Sequence, residues 1–156
     1  MRGDTGIVYA HDGSGVWRSL DGGATWTHIV TCAGGVAWVD PTNHARLYYN
    51  DGSGTFRLDD ARNAGPGAKG TKISSLSSKL MAVSGSGKVY IAEAQFSAPG
   101  ARLWRSSNPT AASPIFSDVS DTYFHGAACN INWLSAGPDD YVYTSSSGGG
   151  VNVGAP

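Results

Sequence analysis

A tyrosine-centred pattern recurs four times along the chain, as Val8-Tyr9, Leu47-Tyr48, Val89-Tyr90 and Val142-Tyr143, with successive tyrosines 39, 42 and 53 residues apart. Self-similarity at such a period confines the chain to stacked or fanned repeats, because one short unit cannot bury its apolar face alone. Any function must therefore be sought on a repeat surface.

The pattern extends on both sides of the tyrosine. Eight residues after it comes an apolar position, Trp17, Phe56 or Val151; in the third copy this position is Trp104, fourteen residues on, through an insertion of about six residues. The next residue is Arg18, Arg57, Arg105 or Asn152, and ten residues before the tyrosine stand Trp38, Leu80 and Trp133. Two near-identical turns, His11-Asp12-Gly13-Ser14-Gly15 and Asn50-Asp51-Gly52-Ser53-Gly54, follow the first two tyrosines.

Each unit reads as short β-strands joined by tight turns. Ile7–Ala10, Leu47–Asn50, Lys88–Ala92 and Tyr141–Thr144 carry the aromatic and β-branched residues of strands, and the Asp-Gly steps supply the positive φ of hairpin turns. No window sustains a 3.6-residue apolar period, and 22 glycines with 7 prolines punctuate the chain, so no helix is expected. Inner strands fall at Gly35–Val39, Leu80–Ser84 and Asn130–Leu134, and outer strands at Thr25–Ile29 and Ile115–Val119. Four antiparallel strands at this period make one propeller blade. The expectation is an all-β chain, a partial β-propeller of about three and a half four-stranded antiparallel blades in a single repeat domain, with blade parts near 1–31, 32–72, 73–121 and 122–156.

Ser19-Leu20-Asp21-Gly22-Gly23-Ala24-Thr25-Trp26 matches every fixed position of S-x-D-x-G-x-T-W, and thereby resembles the Asp-box (BNR-repeat) propellers of sialidases, xyloglucanase-type glycoside hydrolases, sortilin-like receptors and photosystem assembly factors. The likeness extends over Gly15–Ser19 and Val39–Asn43. Only one box is intact: Asp59-Asp60 holds the position in the second copy, and Ser106-Ser107-Asn108 keeps a remnant in the third. A short carboxylate such as Asp21 can accept amide hydrogen bonds from its own turn, Gly22 and Gly23 permit the turn, and Trp26 would anchor the outer strand. Ser19, Asp21, Gly23, Thr25 and Trp26 are accordingly read as a structural staple, away from the active face in the families resembled.

Three and a half blades leave sheet edges and blade faces open, which invites association. The chain is expected to be part of a longer propeller or a half-propeller completed by oligomerising. Charge gives little: 11 Lys+Arg against 12 Asp+Glu yield a net charge of -1, with no basic footprint for nucleic acid or an anionic membrane. No apolar run reaches the length of a membrane span, and the start, Met1-Arg2-Gly3-Asp4-Thr5, has no signal-peptide core. Arg2-Gly3-Asp4 is too short a match to an integrin-type tripeptide to carry meaning. Cys32 and Cys129 fall in blades two apart, beyond disulfide reach, and are read as buried free thiols.

The loops following the tyrosine strands, and those entering each next blade, collect at one end of a propeller. There the sequence places His11, Asp12, Asn50, Asp51, the inserted segment opened by Glu93 and containing Phe96, and Tyr123 with His125. Aromatic rings beside Asp, Asn and His suit a sugar, and acids there could serve a glycosidase if paired. The Asp12-Gly13 and Asn50-Asp51-Gly52 steps also read as ordinary turns. The four histidines lack metal-ligand spacing, so neither metal nor other cofactor is expected. The catalytic residues of the families resembled do not map onto this chain. The favoured expectation is a non-catalytic module that binds a glycan or a protein surface and assembles, in an extracellular or viral setting; the alternative is a fragment of a xyloglucanase- or sialidase-like glycoside hydrolase.

Overall fold

A computed structural model describes residues 6–32, 35–93, 102–124, 131–146 and 150–155. Among them lie fourteen strands in four antiparallel sheets of three, four, four and three strands. Every sheet is a meander in chain order, as hairpin turns dictate. The fold is all-β, a partial propeller, and fourteen strands amount to three and a half sets of four. The chain divides into two compact units, Met1–Lys79 and Leu80–Pro156.

In the first unit, β1 (Val8–His11), β2 (Gly15–Ser19) and β3 (Thr27–Thr31) form one sheet, and β4 (Ala37–Asp40), β5 (Asn43–Asn50), β6 (Thr55–Leu58) and β7 (Thr71–Ser74) the next. Cross-strand pairing puts Tyr9 opposite Arg18 and Tyr48 opposite Arg57. Paired residues share a face and neighbours along a strand alternate, so each sheet has a tyrosine face and an opposite face. The tyrosine face of the first sheet, with Tyr9, Val16 and Val30, buries itself on the opposite face of the second, with Leu47, Tyr49 and Leu58. Each such side chain contributes about 1.5–3 kcal/mol on full burial. Arg18 completes the joint: its Nη1 donates to the carbonyls of Ala61 at 3.2 Å, Arg62 at 2.6 Å and Ala64 at 2.8 Å, all beyond β6.

The second unit repeats this design. Its sheets are β8 (Leu80–Val83), β9 (Val89–Glu93), β10 (Arg102–Ser106) and β11 (Ser117–Asp118), then β12 (Ile131–Ala136), β13 (Val142–Ser146) and β14 (Gly150–Gly154). Ala82, Tyr90, Ala92 and Leu103 on the tyrosine face of the first pack on Ile131, Leu134 and Val142 of the other. A turn contact ties the two: Asp140, held at a φ of 66°, accepts the Ser86 amide at 3.0 Å and pairs with Lys88 at 3.0 Å.

Four sequence expectations are corrected. A single helical turn, α1 (Ser120–Phe124), follows β11; Asp118 caps it through the Ser120 amide at 2.9 Å, and it is too short to show a period. The second sheet has an outer strand, β7, in which Thr71 and Ile73 alternate with Lys72 and Ser74, where no outer strand was expected. Trp26 does not anchor the outer strand: it is 41% exposed, its indole N–H donates to the Gly23 carbonyl at 2.9 Å, and β3 starts at Thr27. In the fourth copy, Val153 rather than Asn152 stands opposite Tyr143, in the arginine position, one residue later than the spacing implied.

Candidate functional site

The intact box is a closed hydrogen-bonded turn between β2 and β3. Asp21 Oδ1 accepts from the Ser19 hydroxyl at 2.7 Å and the Thr25 amide at 2.8 Å, and Oδ2 from the Thr25 hydroxyl at 2.5 Å. Ser19 Oγ in turn accepts the Gly23 amide at 2.8 Å. Gly22 and Gly23 hold φ of 75° and 104°, which a side chain would resist. The hydroxyl and amide of Thr25, and then Ser19, hold the Asp21 carboxyl well below the usual range. The third copy retains the same wiring around a longer loop: Asn108 Oδ1 accepts from the Ser106 hydroxyl and the Ile115 amide, both at 3.1 Å.

The turns after the tyrosine strands gather at one end of the first unit. The Cys32 amide donates to the Ser14 carbonyl at 3.1 Å, and the Asn50 amide to the Val36 carbonyl at 3.0 Å. Cys32 lies buried between the turns; burial first, then the charges of Asp51 and Asp12, push its thiol up to about 11. Cys129 lies outside the described residues.

Most candidate side chains at this end are committed to local geometry. Asp12 Oδ1 accepts the Ser14 hydroxyl and the amides of Ser14 and Gly15, and Oδ2 accepts the Trp17 indole N–H at 2.9 Å. The hydroxyl and amide of Ser14 depress the Asp12 carboxyl far below its ordinary value. His11 Nδ1 accepts the Gly13 amide at 3.2 Å. Asn50 Oδ1 accepts the Gly52 amide at 2.9 Å and the Ser77 hydroxyl at 3.3 Å. In the second unit, Glu93 Oε2 accepts the Trp104 indole N–H at 2.7 Å. Asp12 and Glu93 thus hold equivalent posts, each three residues after its tyrosine and each locking the tryptophan of the next strand. Phe96 and His125 lie outside the described residues; Tyr123 belongs to α1, and its side chain is not described.

Asp51 is the third acid in this register, but its strand neighbour is Phe56, which offers no N–H. Its Oδ1 caps Ser53 through the amide and hydroxyl, both at 2.8 Å. The carboxylate lines a cleft of about 410 Å³ with Thr31, Tyr49, Phe56 and the loop Gly67, Ala68, Lys69 and Gly70. Tyr49 and Phe56 stack at 5.3 Å, with the Lys72 ammonium 6.0 Å from the Phe56 ring, and the Gly70 amide donates to the Tyr49 hydroxyl at 2.9 Å. Gly70 approaches so closely that a Cβ would lie 2.6 Å from the Arg57 carbonyl oxygen. The cleft therefore combines a carboxylate, an exposed lysine, a threonine hydroxyl and aromatic edges, a set that can hydrogen-bond a polyhydroxy ligand. Sequence reasoning found Asp51 but missed Tyr49, Phe56, Lys69 and the loop. The twelve-residue connection from 59 to 70, rich in glycine, was the available signal.

At the same end, Asn50 Nδ2 and His11 Nε2 are buried without a hydrogen-bond partner. Among the described residues, no group of three or more His, Cys, Asp or Glu could hold a metal ion.

No protein-family model matches the chain, and no curated protein matches it in sequence. The crystal structure of an ancestral GH74 enzyme, a β-propeller glycoside hydrolase, matches with a TM-score of 0.59 at 14% sequence identity. The likeness is one of fold. It covers 88% of this chain and 20% of that one, so the chain spans about a fifth of the length of its structural neighbour.

Proposed function

We propose that the chain is a non-catalytic propeller module that binds carbohydrate at the loop end of its first unit and assembles with further sheets, supplied by self-association or by further chain. The observation that carries the non-catalytic reading is the use of the loop-end acids: Asp12 and Glu93 each hold an indole N–H, and Asp51 caps its own turn. A glycosidase needs one carboxyl to act as acid while a second acts as base or nucleophile, and acids locked as acceptors in turns suit neither task. The cleft beside Asp51 suits recognition instead, with the unpaired Asn50 amide one residue away in the chain.

The fold shared with a glycoside hydrolase keeps hydrolysis as the second reading. One experiment separates the two. The protein is titrated with β-glucan, xyloglucan and sialoside oligosaccharides by calorimetry, and the same mixtures are assayed for hydrolysis, using wild type, Asp51→Asn and Glu93→Gln. Binding lost in Asp51→Asn, with no hydrolysis by any form, supports the module. Hydrolysis abolished by either change overturns it, and absence of binding to every oligosaccharide removes the carbohydrate reading.

A further inference from the structure

We infer that the outward face of the fourth sheet docks on the first sheet of a second copy of this chain. The inference rests on the assembly half of the proposed function and names the surfaces involved.

The register of the fourth sheet sorts its side chains onto two faces. Leu134 and Thr144 share one row, and Ala136 and Val142 the next; Leu134, Thr144 and Val142 are at most 3% exposed, against the third sheet. The other face carries the rows Trp133, Ser145, Val151 and Ser135, Tyr143, Val153. On it Trp133 is 51% exposed, Val151 66% and Val153 55%. An apolar stripe spread over three adjacent strands is unusual on a free surface. It is also the tyrosine face of its sheet. The tyrosine faces of the first and third sheets are covered in the same way, each by the opposite face of the sheet that follows. The repeat itself thus states what covers the stripe: a sheet presenting a face of the Leu47 and Leu58 kind.

This chain carries such a face unfilled. On the first sheet, Val8 occupies the Leu47 position, Ala10 the Tyr49 position and Trp17 the Phe56 position. Ala10 is exposed, and Val8 and Trp17 are half-buried. In the second sheet the matching residues are closed: Leu47 is fully buried and Tyr49 is 4% exposed, against the first sheet. The arginine that clamps a neighbouring loop in the first sheet is replaced by Val153 in the fourth, so the docking there is apolar. A contact between two different faces of identical chains is heterologous, and it propagates to a ring or a filament.

Sedimentation of the full chain tests this, with Val153→Lys and Ala10→Lys variants whose folding is verified by circular dichroism. Wild type is expected to sediment at no less than twice the 16.1 kDa chain mass, and each variant as a monomer. Each variant keeps one good face, so an equimolar mixture of the two should return a heterodimer. Should Val153→Lys fail to fold, Val151→Lys takes its place. A monomeric wild type, an Ala10→Lys protein that still associates, or a mixture that stays monomeric overturns the docking. Oligosaccharide binding by the wild type keeps the tests apart: binding without association refutes only the docking, and association without binding refutes only the carbohydrate reading.

Discussion

Replacing Arg18 should loosen the joint between the first two sheets more than any other single polar change in the first unit. The side chain is 9% exposed, and one nitrogen, Nη1, faces the carbonyls of Ala61, Arg62 and Ala64 within 3.2 Å. That nitrogen has two N–H bonds, so no more than two of the three contacts are strong at once. At about 1.5 kcal/mol for each hydrogen bond from a charged donor, the clamp is worth roughly 3 kcal/mol. Arg18→Met keeps the apolar stem and removes the donors, which isolates this quantity from packing. With a urea slope of about 1–3 kcal/mol per molar, the midpoint should fall by roughly 1–3 M. Arg18→Lys keeps a charge on a shorter stem with different geometry, and its loss should be about half as large. Tryptophan fluorescence in urea gives both numbers. A shift below about 0.3 M for Arg18→Met, under the slope just cited, would refute the claim that these carbonyls are held by the guanidinium.

Further predictions follow from the turns and the core. The Asp21 carboxyl is depressed on folding, so its stabilisation is complete above the unfolded value near 3.8 and is lost as pH falls through and below it; Asp21→Asn should therefore destabilise the protein at pH 7 and flatten its acid-denaturation curve, measured by circular dichroism between pH 2 and pH 7. The Cys32 thiol, pushed up to about 11 by burial, should resist alkylation at pH 8 in native protein and react within minutes in denaturant, as read by peptide mass for this residue; rapid native labelling would contradict its placement. Gly15→Ala should be severely destabilising, because a Cβ there would lie 2.1 Å from the Val30 carbonyl oxygen, whereas Gly13→Ala meets open space and should lose only about 1 kcal/mol for its positive φ. Equal thermal shifts for the two would count against the β2–β3 register.

The sequence made the sheets legible wherever side-chain chemistry and spacing agree. The tyrosine strands and the turns at Asp12 and Asn50 were readable because aromatic and β-branched residues mark strands and Asp-Gly marks a hairpin turn. The staple at Ser19–Trp26 could be read as a turn, but the pose of Trp26 could not: the carbonyl of Gly23, three residues back in the same turn, accepts its indole N–H. Residue spacing failed in the fourth copy, where the pairing puts Val153, one residue on from Asn152, in the arginine row; only hydrogen-bond register reveals such a slip. β7 escaped notice because two β-branched residues among polar ones make a weak strand signal, and α1 because five residues are too few to show a period. The cleft at Asp51 is assembled from three segments and a glycine-rich loop, so its acid was visible in sequence and its walls were not.

The central claim is that the tyrosine face of one sheet meets the opposite face of the next. Methyl–aromatic nuclear Overhauser contacts measure that most directly. Face-to-back packing predicts contacts from Tyr9 to Leu47 and from Tyr90 to Leu134 or Val142. Contacts from Tyr9 to Tyr48 instead, as in a sandwich with both tyrosine faces turned inward, would contradict it.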